Sequence, residues 1–333
     1  MIAIRSMASA LPDRIVTNDE FPGLAGTQSR MFLGSKERRH VARNESSLDL
    51  FERAVNQMGN PASLNIDAIL TNVSVPDLPF TGCGAMLAQR LEIRPKVVLD
   101  LHNGGCVSFI LLLDFARSLI KTHGVKNILL CVGQTAAGRI FSHEKNKEKP
   151  QSAIPGDGAA VALLSSEGPL VLTELKVNCH PEYSADMTIE FGDGRKYWEP
   201  GLEPACIEFS ESKMSAIIMR GNRLVPNVMH ELLAETSIKP HQIDGLITNQ
   251  PNPYFLRNWR EALQLPESRH FHSFEKYANL FQAGIPINLD EALVAHKIKR
   301  GDRILLAGFS HAGDYSAAAL LELREDWRDT GTA

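Results

Sequence analysis

Cysteine is scarce in this chain and follows no pattern. The five residues, Cys83, Cys106, Cys131, Cys179 and Cys206, are odd in number and lack the paired spacing of a zinc site or a disulfide framework. A reducing, cytoplasmic setting without a bound metal is therefore the expectation. Long apolar runs are also missing: the longest, Val107 to Leu119, is interrupted by Asp114 and Arg117 and falls short of a bilayer span. The start, Met1-Ile2-Ala3-Ile4-Arg5, reads directly as a strand rather than a charged-then-apolar targeting segment, so no membrane association is expected. Basic charge is not in excess either. Lys and Arg number 35 against 39 Asp and Glu, a formal net charge of -4, which argues against nucleic acid as a partner.

What is present suits a folded globular protein. The 333 residues are 44% hydrophobic and 22% charged, enough for two domains or one duplicated unit. The most informative stretch runs from Val97 to Leu113 and reads as a buried strand, a sharp turn and a buried helix. Gly104 and Gly105 can take left-handed dihedrals at the turn, and the apolar helix that follows is stopped at Gly124. Cys106 thus begins a core helix, where unpaired N–H groups and the helix dipole favour a thiolate and predict a depressed pKa. A nucleophile presented in this way suits covalent acyl transfer, although a small buried core cysteine has the same local signature.

Along the chain, strands are predicted at 67–73, 97–101, 127–132 and 159–164, and helices at 48–58, 80–91 and 106–122. A polar loop is expected over roughly 134–154. The second half repeats this order. Asp67-Ala-Ile-Leu-Thr-Asn72 is echoed by Asp244-Gly-Leu-Ile-Thr-Asn249, Asn127-Ile-Leu-Leu130 by Arg303-Ile-Leu-Leu306, and Gly158 to Leu164 by Ser316 to Leu321. Alternating strands and helices in both halves predict two mixed α/β units, 1–167 and 168–333, whose central helices pack between two sheets.

The second half brings three segments that could meet Cys106. They are Asn249-Gln250-Pro251-Asn252, Tyr277-Ala278-Asn279-Leu280, and Gly308-Phe309-Ser310-His311-Ala312-Gly313. With Gly34 to Ala42, Asp100 to Phe109 and Gly156 to Ala160, these segments make the chain resemble the ketoacyl-ACP synthase III enzymes of the thiolase superfamily. The resemblance implies a duplicated five-layer αβαβα fold, usually homodimeric, and an acyltransferase that loads an acyl group from CoA or an acyl carrier protein onto a cysteine. It implies no cofactor beyond that CoA or phosphopantetheine thioester. Cys106 falls on the family nucleophile and Asn279 on the triad asparagine. Asn249 stands where the family has histidine, so the general base of that position is lost while an oxygen-binding amide remains.

Other matched positions carry substrate expectations. Lys36, Arg38 and Arg39 resemble the stretch that meets the CoA nucleotide, with Asn252 beside them in the donor site; an ordinary solvated face is the alternative. Phe80 falls where the family places an aromatic that crosses the dimer interface. His311, in the last loop, is expected to supply the missing imidazole, with His102 as its rival. The acceptor stays open between condensation with a malonyl thioester and transfer to an alcohol or amine, and a weakened partner subunit of a heterocomplex is the reading from another class.

Overall fold

The computed structural model describes residues 2–25, 32–78, 80–187, 189–207 and 211–327. Nine strands form one hydrogen-bonded sheet. They are β1 (Ile2–Ala10), β2 (Ala68–Val73), β3 (Val97–Leu101), β4 (Ile128–Gln134), β5 (Gly158–Ser165), β6 (Leu170–Cys179), β7 (Gly245–Thr248), β8 (Arg303–Phe309) and β9 (Tyr315–Leu323). Their order is β7-β8-β9-β6-β1-β5-β4-β2-β3. The expected two sheets are therefore joined, through a short antiparallel pairing of Ile2, Ala3 and Ile4 with Leu172, Val171 and Leu170. A fifth strand of the second half is reduced to a single bridge between Leu246 and His270.

Six helices cover the sheet: α1 (Ser47–Gln57), α2 (Gly84–Arg90), α3 (Ser108–Thr122), α4 (Glu211–Glu235), α5 (Pro253–Ala262) and α6 (Gly284–Val294). The alternation of strand side chains assigns each helix to a face. On β2 and β4, Ala68, Leu70, Ile128, Leu130 and Val132 join Ile304 and Leu306 of β8 around α3 and α6 in the central core. The intervening Ile69, Leu129 and Cys131 pack under α1 and α2. Leu305 and Ala307 of β8, with Leu246 of β7, pack under α4 and α5. The result is the five-layer αβαβα arrangement, with the most apolar helices in the middle.

Local chemistry sets the boundaries. Ser46 and Asp49 form a capping box that starts α1 at Ser47. Helix α2 begins at Gly84 rather than Phe80, because Asp100 Oδ1 accepts from Cys83 N and Gly84 N, both at 2.9 Å, and holds the helix start. The long α4 contains Pro226 and Gly221, residues that argue against a helix interior. Gly221 is required there by close packing: a β-carbon would lie 2.7 Å from the Phe255 ring.

Candidate active site

The strand-turn-helix around Cys106 forms as expected, with one refinement. Gly104 at φ +91 and Gly105 at φ +43 carry the left-handed turn, and residues 105–107 make a short 3-10 turn before α3 begins at Ser108. Asn72 Nδ2 clamps the turn by donating to Leu101 O at 3.0 Å and Asn103 O at 2.9 Å. Cys106 lines a cavity of about 410 Å³ whose walls are mostly apolar, among them Val75, Ile140, Phe141 and Phe281.

The expected low thiol pKa is corrected. Burial in this apolar environment pushes the Cys106 thiol up to about 12, and the negative charge of Asp314 adds to the effect. A hydrogen bond from Asn249 and another from the Cys106 amide act in the opposite direction but do not outweigh desolvation. The turn leaves the sulfur on the cavity side rather than in open solvent, where the helix dipole alone could have decided the matter. Burial therefore works against a free thiolate at Cys106.

Asn249 follows β7. Its Nδ2 donates to Phe309 O and its Oδ1 accepts from Phe309 N, both at 3.3 Å. That double contact fixes the amide so that its remaining N–H serves Cys106 Sγ. It also explains Gly308, where a β-carbon would lie 2.4 Å from Asn249 Oδ1. Asn279 is held by its backbone between Ile154 O, at 2.8 Å from its N, and Gly156 N, at 2.9 Å from its O. Its Oδ1 accepts from Phe281 N at 3.0 Å, which leaves Nδ2 available where the residue lines the cavity. Below these residues a buried amide network locks the loops. Gln250 Oε1 accepts from Asn288 Nδ2 at 2.8 Å and Ser273 N at 3.2 Å, and Ser273 Oγ donates to Asn288 Oδ1 at 2.6 Å.

His311 also lines the cavity, in the loop between β8 and β9. Its Nδ1 lies 3.1 and 3.2 Å from the two oxygens of Asp314, and a β-carbon on Gly105 would lie 2.9 Å from its Nε2. The ring edge thus rests on the nucleophile turn. Ser310 Oγ donates to the same carboxylate and accepts from Tyr315 N at 3.0 Å. Burial alone would raise the Asp314 carboxyl, but hydrogen bonds from His311 and Ser310 hold it below its usual range. The sequence reading found His311 and missed Asp314, although the spacing Ser310-His311-x-x-Asp314 was visible. His102 lines the same cavity without such a partner among the described residues.

In the basic stretch expected to meet phosphate, only Arg38 is turned away from that role. Pairing of 15–17 with 37–39 turns Arg38 inward, where it is buried. There its guanidinium donates to Asn18 Oδ1 at 2.7 Å and Ser35 Oγ at 2.8 Å and lies over the Phe21 ring. Burial lowers its pKa to about 10. Lys36 is exposed and ion-paired with Glu275, and Arg39 donates to Pro12 O and Asp13 O. None of the three reaches the cavity. Asn252 does reach it, with its Oδ1 capping α5 through Phe255 N at 3.1 Å. Phe80 is fully exposed, which excludes a core role.

Known proteins repeat this architecture. The family model described as 3-Oxoacyl-[acyl-carrier-protein (ACP)] synthase III matches residues 99–179. Its C-terminal counterpart matches 233–323, and together the two span just over half of the chain. The chain is similar to the beta-ketoacyl-[acyl-carrier-protein] synthase III of Coxiella burnetii strain Dugway, 26% identical over 96% of this chain and 98% of that one. The corresponding enzyme of Alkalilimnicola ehrlichii is 28% identical over 94% and 96%. The crystal structure of 3-oxoacyl-[acyl-carrier-protein] synthase III from Aquifex aeolicus superposes with a TM-score of 0.80, at 22% identity, over 97% of this chain and all of that one. The chain belongs to the 3-oxoacyl-[acyl-carrier-protein] synthase III family and is an acyltransferase of the thiolase fold.

Proposed function

We propose that the protein forms an acyl thioester on Cys106 from an acyl-CoA or an acyl carrier protein and passes the acyl group to a second substrate. The observation that carries this reading is the convergence on one cavity of Cys106, the amides of Asn249 and Asn279, and the His311–Asp314 pair. In loading, His311 Nε2 takes the Sγ proton as the sulfur attacks the thioester carbonyl. Asn279 Nδ2 stabilises the resulting oxyanion. The pantetheine sulfur then leaves and takes the proton back from His311. Once Sγ is a thioester it is a weak acceptor, so the Asn249 N–H that served the sulfur is freed for the carbonyl oxygen.

For the second half-reaction the same base favours a protic acceptor, an alcohol or amine, whose proton must be removed as it attacks. Condensation with a malonyl thioester needs charge stabilisation more than a base, and the two amides support it as the second reading. Neither route uses a metal or redox cofactor. The presence of Cys106 itself, at the nucleophile position and lining the cavity, argues against a merely supporting subunit.

Residues 1–167 and 168–333 are proposed as the duplicated units. A homodimer is also proposed: Phe80 is fully exposed and Leu99 of the edge strand β3 is 42% exposed, which leaves apolar surface for a second copy to cover. Among the described residues no helix is long and apolar enough to cross a membrane, and a cytoplasmic location is proposed.

Intact mass after incubation with a panel of acyl-CoA and acyl-carrier donors tests the central claim. An increment equal to the acyl group, absent in Cys106→Ala, is expected. The absence of any increment from every donor would move weight to the partner-subunit reading.

A further inference from the structure

Gln134 ends β4 on the same face as Ile128, Leu130 and Val132, the row that packs in the central core with α3. At Gln134 that row passes from the core into the cavity that holds Cys106. The side chain is fully buried, and neither Nε2 nor Oε1 has a hydrogen-bond partner among the described residues. A primary amide offers two donors and an acceptor, and one left bare in an apolar site is costly enough that native proteins rarely keep it. Two neighbouring amides are already committed. Gln282 Nε2 donates to Gly133 O at 2.6 Å while its Oε1 accepts from Ser74 Oγ at 2.7 Å. The Asn72 amide nitrogen is held by Leu101 and Asn103. Among the described residues lining the cavity there is no Asp, Glu, Lys or Arg. An unpartnered amide in an uncharged, mostly apolar cavity calls for a ligand that is apolar along its length and carries a neutral oxygen.

We propose that Gln134 recognises a hydroxyl or ketone oxygen on the acyl chain borne by Cys106, so that the preferred acyl group is an oxygenated rather than a plain alkyl chain. This inference rests on the acyl-Cys106 reading. A hydroxyl can donate to Oε1 and accept from Nε2, and a ketone can accept from Nε2. A carboxylate would enter without a counter-charge, and a saturated chain would exclude water from the amide while replacing none of its hydrogen bonds. A site built to hydrogen-bond discriminates against the analogue lacking the group more sharply than an apolar pocket discriminates a methylene.

The test compares the rate of Cys106 acylation, followed by intact mass, from octanoyl-pantetheine and from octanoyl chains bearing a hydroxyl or ketone at C3, C5 or C7. In the unmodified enzyme at least one oxygenated chain is expected to load about tenfold or more faster in kcat/KM than octanoyl. In Gln134→Leu that ratio is expected to fall to about one or below. Octanoyl loading as fast as every oxygenated chain, or a ratio unchanged by Gln134→Leu, overturns the proposal. Gln134→Met, closer in shape, serves if the leucine variant does not fold. If no thioester loads Cys106 at all, the acyl-enzyme reading is lost instead. The role of Gln134 is then decided by calorimetric binding of octanamide and its oxygenated analogues to Cys106→Ala, where equal affinity overturns it and tighter binding of an oxygenated chain that Gln134→Leu abolishes sustains it.

Discussion

His311 Nδ1 lies 3.1 Å from Asp314 Oδ2 and 3.2 Å from Oδ1, a contact that orients the ring with Nε2 toward the nucleophile turn. In the proposed reaction this pair takes the place of the histidine that Asn249 replaces, from a different loop and element. The expected consequence is a loss of about a hundred- to ten-thousandfold in Cys106 acylation for His311→Ala. Asp314→Asn, which keeps a polar partner and removes the charge, is expected to lower kcat with little change in KM and to shift the pH profile. A His311→Ala rate within a few-fold of the unmodified enzyme, with the same pH profile, would leave the base without support, and His102→Ala run alongside identifies the rival.

The thiol itself gives a second expectation. With Cys106 pushed up to about 12 by burial, the free enzyme holds a neutral thiol throughout pH 6 to 9. Iodoacetamide alkylation at Cys106 should therefore rise steadily across that range without a plateau, and remain slower than for a free cysteine. An inflection below pH 8 would show that the helix dipole outweighs desolvation after all.

Much of this was legible in the sequence, and the pattern of success has physical causes. Strand alternation and internal repetition located the sheet and the Cys106 turn because both depend on local spacing. The burial of Arg38 was not legible, because which face of a three-residue strand turns inward depends on its partner, and here that pairing turns Arg38 inward. The thiol pKa was misjudged for a related reason: the helix start is local, whereas the desolvation that dominates comes from a cavity assembled by both halves of the chain. Asp314 lay three residues beyond His311, but its meaning depends on a loop that folds the carboxylate back onto Nδ1.

Acid stability supplies a third expectation. Burial, with His272 and Arg260 nearby, pushes His270 down to about 3, and its Nε2 lies 3.1 Å from Thr248 Oγ1. In the unfolded chain this histidine binds a proton below about pH 6.5, whereas in the folded chain it does not until about pH 3. The unfolded state therefore holds more protons in that window, and folding stability falls as pH drops through it, by up to about 1.4 kcal/mol per unit for this one group. Denaturant titrations between pH 4 and 7 should show a shallower loss in His270→Gln. An identical slope in the two proteins would mean that His270 is protonated in the native state.

The seat of Asn249 leads to the last expectation. Both atoms of its amide are held by the backbone of Phe309 at 3.3 Å, and this close approach is possible only because residue 308 has no side chain. A methyl at Gly308 would lie 2.4 Å from Asn249 Oδ1, far inside contact distance, while the same β-carbon would be 3.1 Å from Val107 Cγ1, a neighbour that can adjust. The rigid amide must therefore move, and the N–H that serves Cys106 moves with it. Gly308→Ala is expected to slow acylation about as much as Asn249→Ala, because each withdraws the same N–H from the attacking sulfur. Because both changes remove one interaction, the double variant should be little slower than either single one. Losses that instead multiply would show that Gly308 and Asn249 act separately, and that the double contact with Phe309 does not position the amide.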